Sequence, residues 1–319
     1  MNQNALWGVF GLIVGGMLAL DLALLDRKAH TVKLKEALVW VAVWVGLALA
    51  FCVGVYVWHK DGATKAMEFL TGYLLEESLS VDNIFVFIMI FSYFAVPAQY
   101  QHRVLYWGIL GAIVMRGIFI FAGITLIEKF NWLIYVFGLF LIFTGIKMGI
   151  KKGETGVRPE RNPVVRLFRR FFPVSNHFHE ERFFCKEAGH RLATPLFVVL
   201  LVIETSDVMF ALDSIPAVIG VTRDPFIVYT SNIFAILGLR SLYFAVAGIM
   251  GLFRYLRIGL SFILAFIGLK MVFTEGYQSF YDHDFRFPIE IALGVVFGIL
   301  LISVLASLAI PEKAKSDSQ

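Results

Sequence analysis

The chain alternates long apolar stretches with short polar connections, and nine of the apolar stretches have the length of a membrane-crossing helix. Such a helix needs about 20 mostly apolar residues. Stretches such as Ile291–Leu301 are apolar on every side, whereas a transmembrane β-strand would alternate over about 10 residues. The pattern predicts an all-α polytopic membrane protein with a single transmembrane domain over residues 1–319. The predicted spans are 6–25, 37–58, 69–94, 104–127, 132–150, 195–219, 228–250, 257–273 and 288–310.

Composition agrees with this pattern and excludes several protein classes. The 319 residues are 59% apolar and 16% charged, with a mean hydropathy of +0.77, which excludes a soluble globule and a disordered chain. Two cysteines cannot form a disulfide framework. The net charge of +4 is interpreted as an excess of basic cytoplasmic loops and not as a nucleic-acid surface.

The distribution of Lys and Arg predicts how the chain is oriented in the membrane. One alternating set of connections holds nineteen basic residues and the other holds five, and the richer set faces the cytoplasm. The N-terminus is therefore expected outside and the C-terminus in the cytoplasm. The start, Met1-Asn2-Gln3-Asn4, lacks the basic segment of a secretory signal, so the first stretch is interpreted as a span.

The long connection 151–194 is predicted to be a cytoplasmic loop. Its basic and aromatic run over residues 165–172 predicts a helix on the anionic inner leaflet. Four potential metal ligands follow, and their spacing matches no standard zinc pattern. A solvated linker is therefore preferred to a metal-sensing site for this group. The four are His177, His179, Cys185 and His190.

An internal repeat relates spans three to five with spans six to eight. Residues 108–148 resemble 232–271, with Arg116 opposite Arg240 and a glycine pattern in common. The predicted units are repeat 1 over 69–150 and repeat 2 over 195–273. Because three is odd, the two copies cross the membrane in opposite senses, which is the architecture of secondary transporters.

Charged groups inside the predicted spans indicate the chemistry. Each ionised acid at the bilayer centre costs roughly 2.5–3.5 kcal/mol on insertion scales. The two deep arginines, Arg116 and Arg240, are predicted counter-ions, but they can neutralise only two acids, so a bound cation is expected near the others. The seven acids are Asp21, Glu76, Glu77, Asp82, Glu204, Asp207 and Asp213.

Helical spacing separates these acids. Glu76 shares one face of its span with Asn83, and Glu204 shares another with Asp207. Glu77 falls on a different face from Glu76, so at most one of this pair is expected to point inward, with Glu76 preferred. Pro216 cannot donate to the carbonyl of Leu212, which predicts a kinked or broken helix beside Asp213. Asp21 lies near a span end and could be simply hydrated.

The donor atoms favour a hard divalent cation. Carboxylate, amide and hydroxyl oxygens suit Mg²⁺, Ca²⁺ or Mn²⁺ better than Zn²⁺ or Cu⁺. No histidine lies in a predicted span. No phosphate-binding glycine loop is present, so ATP-driven pumping is not expected. No nucleophile with a base at catalytic spacing stands out, so an enzyme is not expected either. Lys147 and Lys270 are expected to snorkel from span ends.

The acidic motifs resemble those of the bacterial TerC family, in its alkali-inducible, Alx-like branch. They read Glu76-Glu77-Ser78-Leu79-Ser80-Val81-Asp82-Asn83 and Glu204-Thr205-Ser206-Asp207 through Asp213-Ser214-Ile215-Pro216-Ala217. The resemblance implies a LysE-type exporter of Mn²⁺ in the bacterial inner membrane. It also implies metal ligands at Glu76, Asp82, Asn83, Glu204, Asp207 and Asp213, with an acid at Asp21. Glu77 departs from the lysine expected in this branch, which leaves its role open.

The expected function is Mn²⁺ export by Mn²⁺/H⁺ antiport, with Mn²⁺ as the transported substrate and no organic cofactor. Partners are the bilayer, Mn²⁺ and protons, without nucleic acid. Two alternatives stay open, namely transport of Ca²⁺ or a tellurium-related ion, and a non-transporting membrane partner that loads metal onto exported proteins. A homo-oligomer or a secretion-machinery partner is also left open by the sequence.

Overall fold

A computed structural model describes residues 3–25, 33–150, 162–175, 177–187, 190–248, 255–280, 285 and 287–309. Ten helices and one two-stranded antiparallel sheet lie in these residues. The helices are α1 (Gln3–Leu25), α2 (Leu34–Trp58), α3 (Gly62–Tyr93), α4 (Ala98–Lys129), α5 (Leu133–Ile150), α6 (Pro163–Phe171), α7 (Pro195–Ile219), α8 (Pro225–Gly248), α9 (Leu256–Phe280) and α10 (Ile289–Ala309); the strands are β1 (Phe184–Glu187) and β2 (His190–Ala193).

Each of the nine predicted spans corresponds to one long helix of the described chain, which confirms an all-α polytopic architecture. Seven of these helices, α2, α4, α5 and α7 to α10, are long and apolar enough to cross a membrane. The central acids of α3 lower its mean hydropathy, and α1 offers a shorter apolar part, Ala5–Ala19. The count of nine crossings therefore stays a prediction.

The centre of the bundle is built from α3, α4, α7 and α8. Helix α3 packs on α7 and α8, and α4 packs on the same two helices. Helix α5 packs on α9, while α2 and α10 cover the outer faces of α3. Within the six helices α3 to α5 and α7 to α9, exchanging the first three for the last three reproduces the main contacts, whereas the contacts of α2 and α10 with α3 have no such counterpart on α7 in the described chain. The repeat itself stays a prediction.

Helices α5 and α9 approach each other at glycines. A side-chain carbon on Gly268 would lie 2.5 Å from the backbone oxygen of Gly138. A side-chain carbon on Gly145 would lie 2.6 Å from the backbone oxygen of Ser261. Both distances are too short for any other residue, so the glycines at corresponding repeat positions permit backbone contact between the two helices.

The structure differs from two sequence predictions about the helices. Helix α7 is not broken beside Asp213, since it continues through Pro216 to Ile219, while a kink there stays a prediction. Pro216 lies in the last turn, so its missing donor removes one hydrogen bond and interrupts little further helix. Helix α9 extends to Phe280, not 273. Lys270 consequently does not snorkel from a helix end, because it is buried and its Nζ donates to the carbonyl oxygen of Gly220 at 3.1 Å.

The described part of the loop between α5 and α7 contains regular secondary structure. Asn162 caps α6 by accepting hydrogen bonds from the backbone nitrogens of Val164 and Val165 at 2.9 and 3.3 Å. The predicted helix in the basic and aromatic run is thus confirmed as α6. The hairpin of β1 and β2 that follows was not predicted, because its residues do not show the alternation typical of a half-buried strand.

Candidate metal centre

The polar centre of the bundle is the guanidinium of Arg116 on α4. Arg116 is only 1% exposed, although it has the largest side chain among the fully buried residues of the described chain. A charge at this depth is costly unless it is paired and hydrogen-bonded. A counter-ion at this position should therefore have acidic side chains within hydrogen-bonding distance of its guanidinium.

Arg116 joins acids from two different helices. Its Nη1 donates to Oε1 of Glu76 on α3. Its Nη2 donates to Oδ1 of Asp207 on α7 at 3.1 Å, and its Nε donates to Oδ2 of the same carboxylate at 3.4 Å. The fork of donors thus engages Asp207 at both oxygens, the geometry in which arginine binds carboxylates most strongly.

Two neutral side chains complete this cluster. Asn232 on α8 accepts from Nη1 of Arg116 at 3.0 Å and donates its Nδ2 to Oε2 of Glu76 at 3.0 Å. Ser214 on α7 accepts from Nη1 at 3.5 Å. Sequence reasoning missed Asn232, which is fully buried; the available signal was an amide inside the predicted span 228–250.

Glu204 lies one helical turn from Asp207 on α7 and packs against the backbone of Gly111 on α4. A side-chain carbon at Gly111 would collide with both carboxylate oxygens of Glu204. Glu204 and Asp207 repel each other electrostatically. Three acids lie in this part of the bundle with one arginine, so a divalent cation would supply positive charge that the arginine alone does not.

The remaining predicted ligands lie outside the Arg116 cluster. Asp82 on α3 interacts electrostatically with Arg257 of α9, and Asp213 on α7 interacts with Lys147 of α5. Asn83 is buried on α3. The structure therefore joins Glu76 and Asp207 through one arginine and places Glu204 one helical turn from Asp207, against Gly111. Asp82 and Asp213 are instead under the electrostatic influence of other cations.

Three further sequence predictions have different outcomes. Glu77 has a carboxylate oxygen that is buried and lacks a hydrogen-bond partner among the described residues. Glu76 is fully buried and Glu77 is half-buried, because different faces of α3 are covered by different neighbours, and the preference for Glu76 as the inward residue stays a prediction. Arg240 is half-buried on α8. The side chain of Asp21 lies outside the described residues.

A cavity of about 770 Å³ opens where α3, α7, α9 and α10 meet. Its lining includes Glu68, Asp224 and Lys270. Lys65 contacts Glu68 at 2.8 Å and Asp224 at 3.3 Å. Glu68 precedes Glu76 by two helical turns, or about 12 Å along α3, so the cavity approaches the Arg116 cluster from the side that the basic-residue distribution predicts to be extracytoplasmic.

The hairpin also groups some of its potential ligands. His179 and Cys185 lie together with Glu187, a residue outside the predicted set, while His177 and His190 are not part of this group. Hydrogen bonds from Ser175, followed by one from His179, hold the pKa of Glu187 below its usual range. Glu187 was missed because nothing in the sequence distinguishes it from other exposed acids.

Comparison with known proteins identifies the family. The integral membrane protein TerC family matches residues 61–315. The "Uncharacterized membrane protein STKORF319" of Myxococcus xanthus is 53% identical over 97% of this chain and 93% of that protein. The "Putative membrane-bound redox modulator Alx" of Escherichia coli (strain K12) is 48% identical over 93% of this chain and 92% of that protein. No solved structure matches. The chain belongs to the TerC family of integral membrane proteins and resembles its Alx-named members throughout.

Proposed function

We propose that this protein is an inner-membrane secondary transporter that exports Mn²⁺ from the cytoplasm in exchange for protons. The observation that carries the proposal is the meeting of two buried carboxylates, Glu76 and Asp207, around one guanidinium at the contact between the two predicted repeats. Acids placed so deep pack less well than apolar residues would, and intramembrane acids are by default functional candidates.

Mn²⁺ would bind by displacing the guanidinium of Arg116 from at least one carboxylate. Oxygen atoms of Glu76, Asp207 and Glu204 supply the charge, and those of Asn232 and Ser214 supply neutral ligands. This set matches the preference of Mn²⁺, Mg²⁺ and Ca²⁺ for oxygen. The TerC resemblance favours Mn²⁺ among the three.

Asp82 and Asp213 are placed on the cytoplasmic side and the external side of this site. Each lies six residues beyond a central acid, Glu76 or Asp207, or about 9 Å along its helix. Because α3 and α7 are predicted to cross in opposite senses, Asp82 lies on the cytoplasmic side and Asp213 on the external side. We propose that Asp82 binds the cation as it enters the site from the cytoplasm, together with the neighbouring Asn83, and that Asp213 binds it as it leaves on the external side.

Export must overcome the membrane potential. Moving two positive charges out of an inside-negative cell costs about 2 × 2.3 kcal/mol per 100 mV. Protons entering the cell can supply this free energy, and they bind the same carboxylates that hold the metal. Competition between protons and Mn²⁺ at Glu76, Asp207 and Glu204 is therefore the simplest form of coupling.

The test is Mn²⁺ uptake into inverted vesicles under an imposed pH gradient. We expect uptake that requires the gradient and is abolished in the Glu76→Gln and Asp207→Asn variants. Glu128→Gln is the matched control, because Glu128 is an exposed acid at the end of α4 and its variant should transport normally. Uptake independent of the gradient would contradict antiport, and normal uptake by Asp207→Asn would contradict the site.

The same assay separates the alternatives. Stronger competition by Ca²⁺ than by other divalent ions would identify a Ca²⁺ transporter, while the acidic cluster disfavours a tellurium oxyanion. An absence of flux by the pure protein, together with co-purification of a secretion complex, would indicate a non-transporting metal-delivery partner.

A further inference from the structure

The hairpin between α6 and α7 gathers three metal-ligating atoms that the proposed transport site does not use. Nε2 of His179 lies 2.6 Å from Oε1 of Glu187, and Sγ of Cys185 lies 4.0 Å from the same oxygen. The three ligand atoms are all within 4.8 Å of one another, and they form the one such His, Cys and acid group found among the described residues.

Local backbone structure holds this group together. Cys185 and Glu187 are two residues apart on β1, so their side chains project from the same face of the strand. The loop before β1 supplies His179. Ser175 fixes that loop, because its nitrogen donates to the carbonyl oxygen of Ala193 on β2 at 2.8 Å and its Oγ lies 2.8 Å from Glu187 and 3.2 Å from His179.

We propose that His179, Cys185 and Glu187 form a second metal site, for a zinc-class divalent cation, with water at the fourth position. One nitrogen, one thiolate sulfur and one carboxylate oxygen are the donors that Zn²⁺ takes in tetrahedral sites. The thiolate separates this site from the all-oxygen cluster at Arg116, since sulfur favours Zn²⁺ strongly over Mn²⁺.

The geometry needs little adjustment to accept the ion. Zinc bonds of about 2.1 Å to nitrogen and oxygen and 2.3 Å to sulfur place tetrahedral ligand atoms about 3.4–3.6 Å apart. Nε2 of His179 and Oε1 of Glu187 would separate by less than about 1 Å, and Sγ of Cys185 would approach by a similar amount. The metal would replace the hydrogen bond that now joins Nε2 of His179 to Oε1 of Glu187.

The site is open to water and docked on the bundle. His179 and Cys185 are half-buried and Glu187 is exposed, so an ion can enter and leave without unfolding the hairpin. Thr194, which follows β2, donates its nitrogen to the carbonyl oxygen of Phe183 at 2.9 Å, and the ring of Phe183 packs on Phe197 of α7. A metal here would be bound near the N-terminal end of α7, the helix that carries Asp207.

The proposal is tested by titrating full-length, detergent-solubilised protein with Co²⁺ and displacing it with Zn²⁺. We expect a near-ultraviolet thiolate-to-cobalt absorption band that Zn²⁺ abolishes. This band is specific to a thiolate ligand, so metal bound by the carboxylates at Arg116 does not contribute. His179→Ala and Glu187→Gln should each weaken Zn²⁺ binding by about tenfold or more, and Cys185→Ser should remove the band.

Two matched controls use the remaining cysteine and a neighbouring histidine. Cys52→Ser and His190→Ala should leave the band and the Zn²⁺ affinity unchanged, since neither residue belongs to the group. Absence of the band in the unmodified protein would overturn the proposal. Persistence of the band in Cys185→Ser would also overturn it, and so would unchanged Zn²⁺ affinity in both His179→Ala and Glu187→Gln. The group would then be a histidine–glutamate pair beside a thiol, without a metal.

Discussion

Replacing Arg116 with methionine should destabilise the protein strongly, because it leaves Glu76 and Asp207 buried without their cation. A pair of unit charges 4 Å apart interacts by about 4 kcal/mol at an effective dielectric constant of 20, and Arg116 makes two such pairs at hydrogen-bonding distance. Breaking a buried ion pair by removing one partner typically costs about 3–5 kcal/mol. We expect a loss of that size in the free energy of unfolding.

A compensated variant isolates the electrostatic part of this loss. Combining Arg116→Met with Glu76→Gln and Asp207→Asn removes the unpaired charges at nearly constant volume. The new amide at position 76 can still bond to Asn232, and the one at position 207 lies near Ser214. We expect this triple variant to recover most of the stability, since replacing a whole buried ion cluster by neutral groups is often neutral.

Both quantities are measured on full-length protein in mixed micelles, with unfolding followed by tryptophan fluorescence and Mn²⁺ flux followed in vesicles. The triple variant should be stable and inactive, since it keeps the fold but lacks the metal-binding charges. A triple variant that loses as much stability as the sum of its three single variants would refute the reasoning. So would an Arg116→Met variant with unchanged stability.

Three further substitutions, with a fourth as their control, test the contact between α5 and α9 and the packing beside the Arg116 cluster. Gly268→Ala should cost about 1–3 kcal/mol through collision with α5, whereas Gly276→Ala on the same helix meets open space and should be neutral or stabilise by up to about 1 kcal/mol in thermal unfolding. Gly111→Ala should displace the carboxylate of Glu204 and reduce Mn²⁺ flux relative to the Gly276→Ala control. Asn232→Leu should lower stability by about 1–3 kcal/mol, because it leaves buried polar groups without partners; an unchanged denaturation midpoint would contradict the contacts assigned to this amide.

The helices were predictable because hydropathy responds directly to the cost of exposing backbone and polar groups to lipid. The bounds of α7 agree with the prediction at both ends. Helices α3 and α9 were predicted too short, since they continue into polar residues such as Thr64, Lys65 and Glu275. A hydropathy window ends where apolar character ends, whereas a helix ends where its backbone hydrogen bonds end.

The candidate site was predicted only in part, because sequence spacing gives the face of a helix but not the neighbour that covers it. Spacing indicated that Glu204 and Asp207 share one face, and the depth of Arg116 suggested a counter-ion, which agrees with its ion pairs to Glu76 and Asp207. It could not reveal that Asn232 on another helix would bond to both Arg116 and Glu76. These contacts arise from packing between helices far apart in the chain.

The position of Arg116 has a consequence for how the empty site would return across the membrane in the proposed transport cycle. One guanidinium from the first half of the chain holds Asp207, Ser214 and Asn232 of the second half, and it fills the volume that a metal ion would need. In the proposed transport cycle, the metal ion and the guanidinium would therefore alternate at these acids. When no metal is bound, the guanidinium would neutralise part of the carboxylate charge, which lowers the cost of returning the empty site across the membrane.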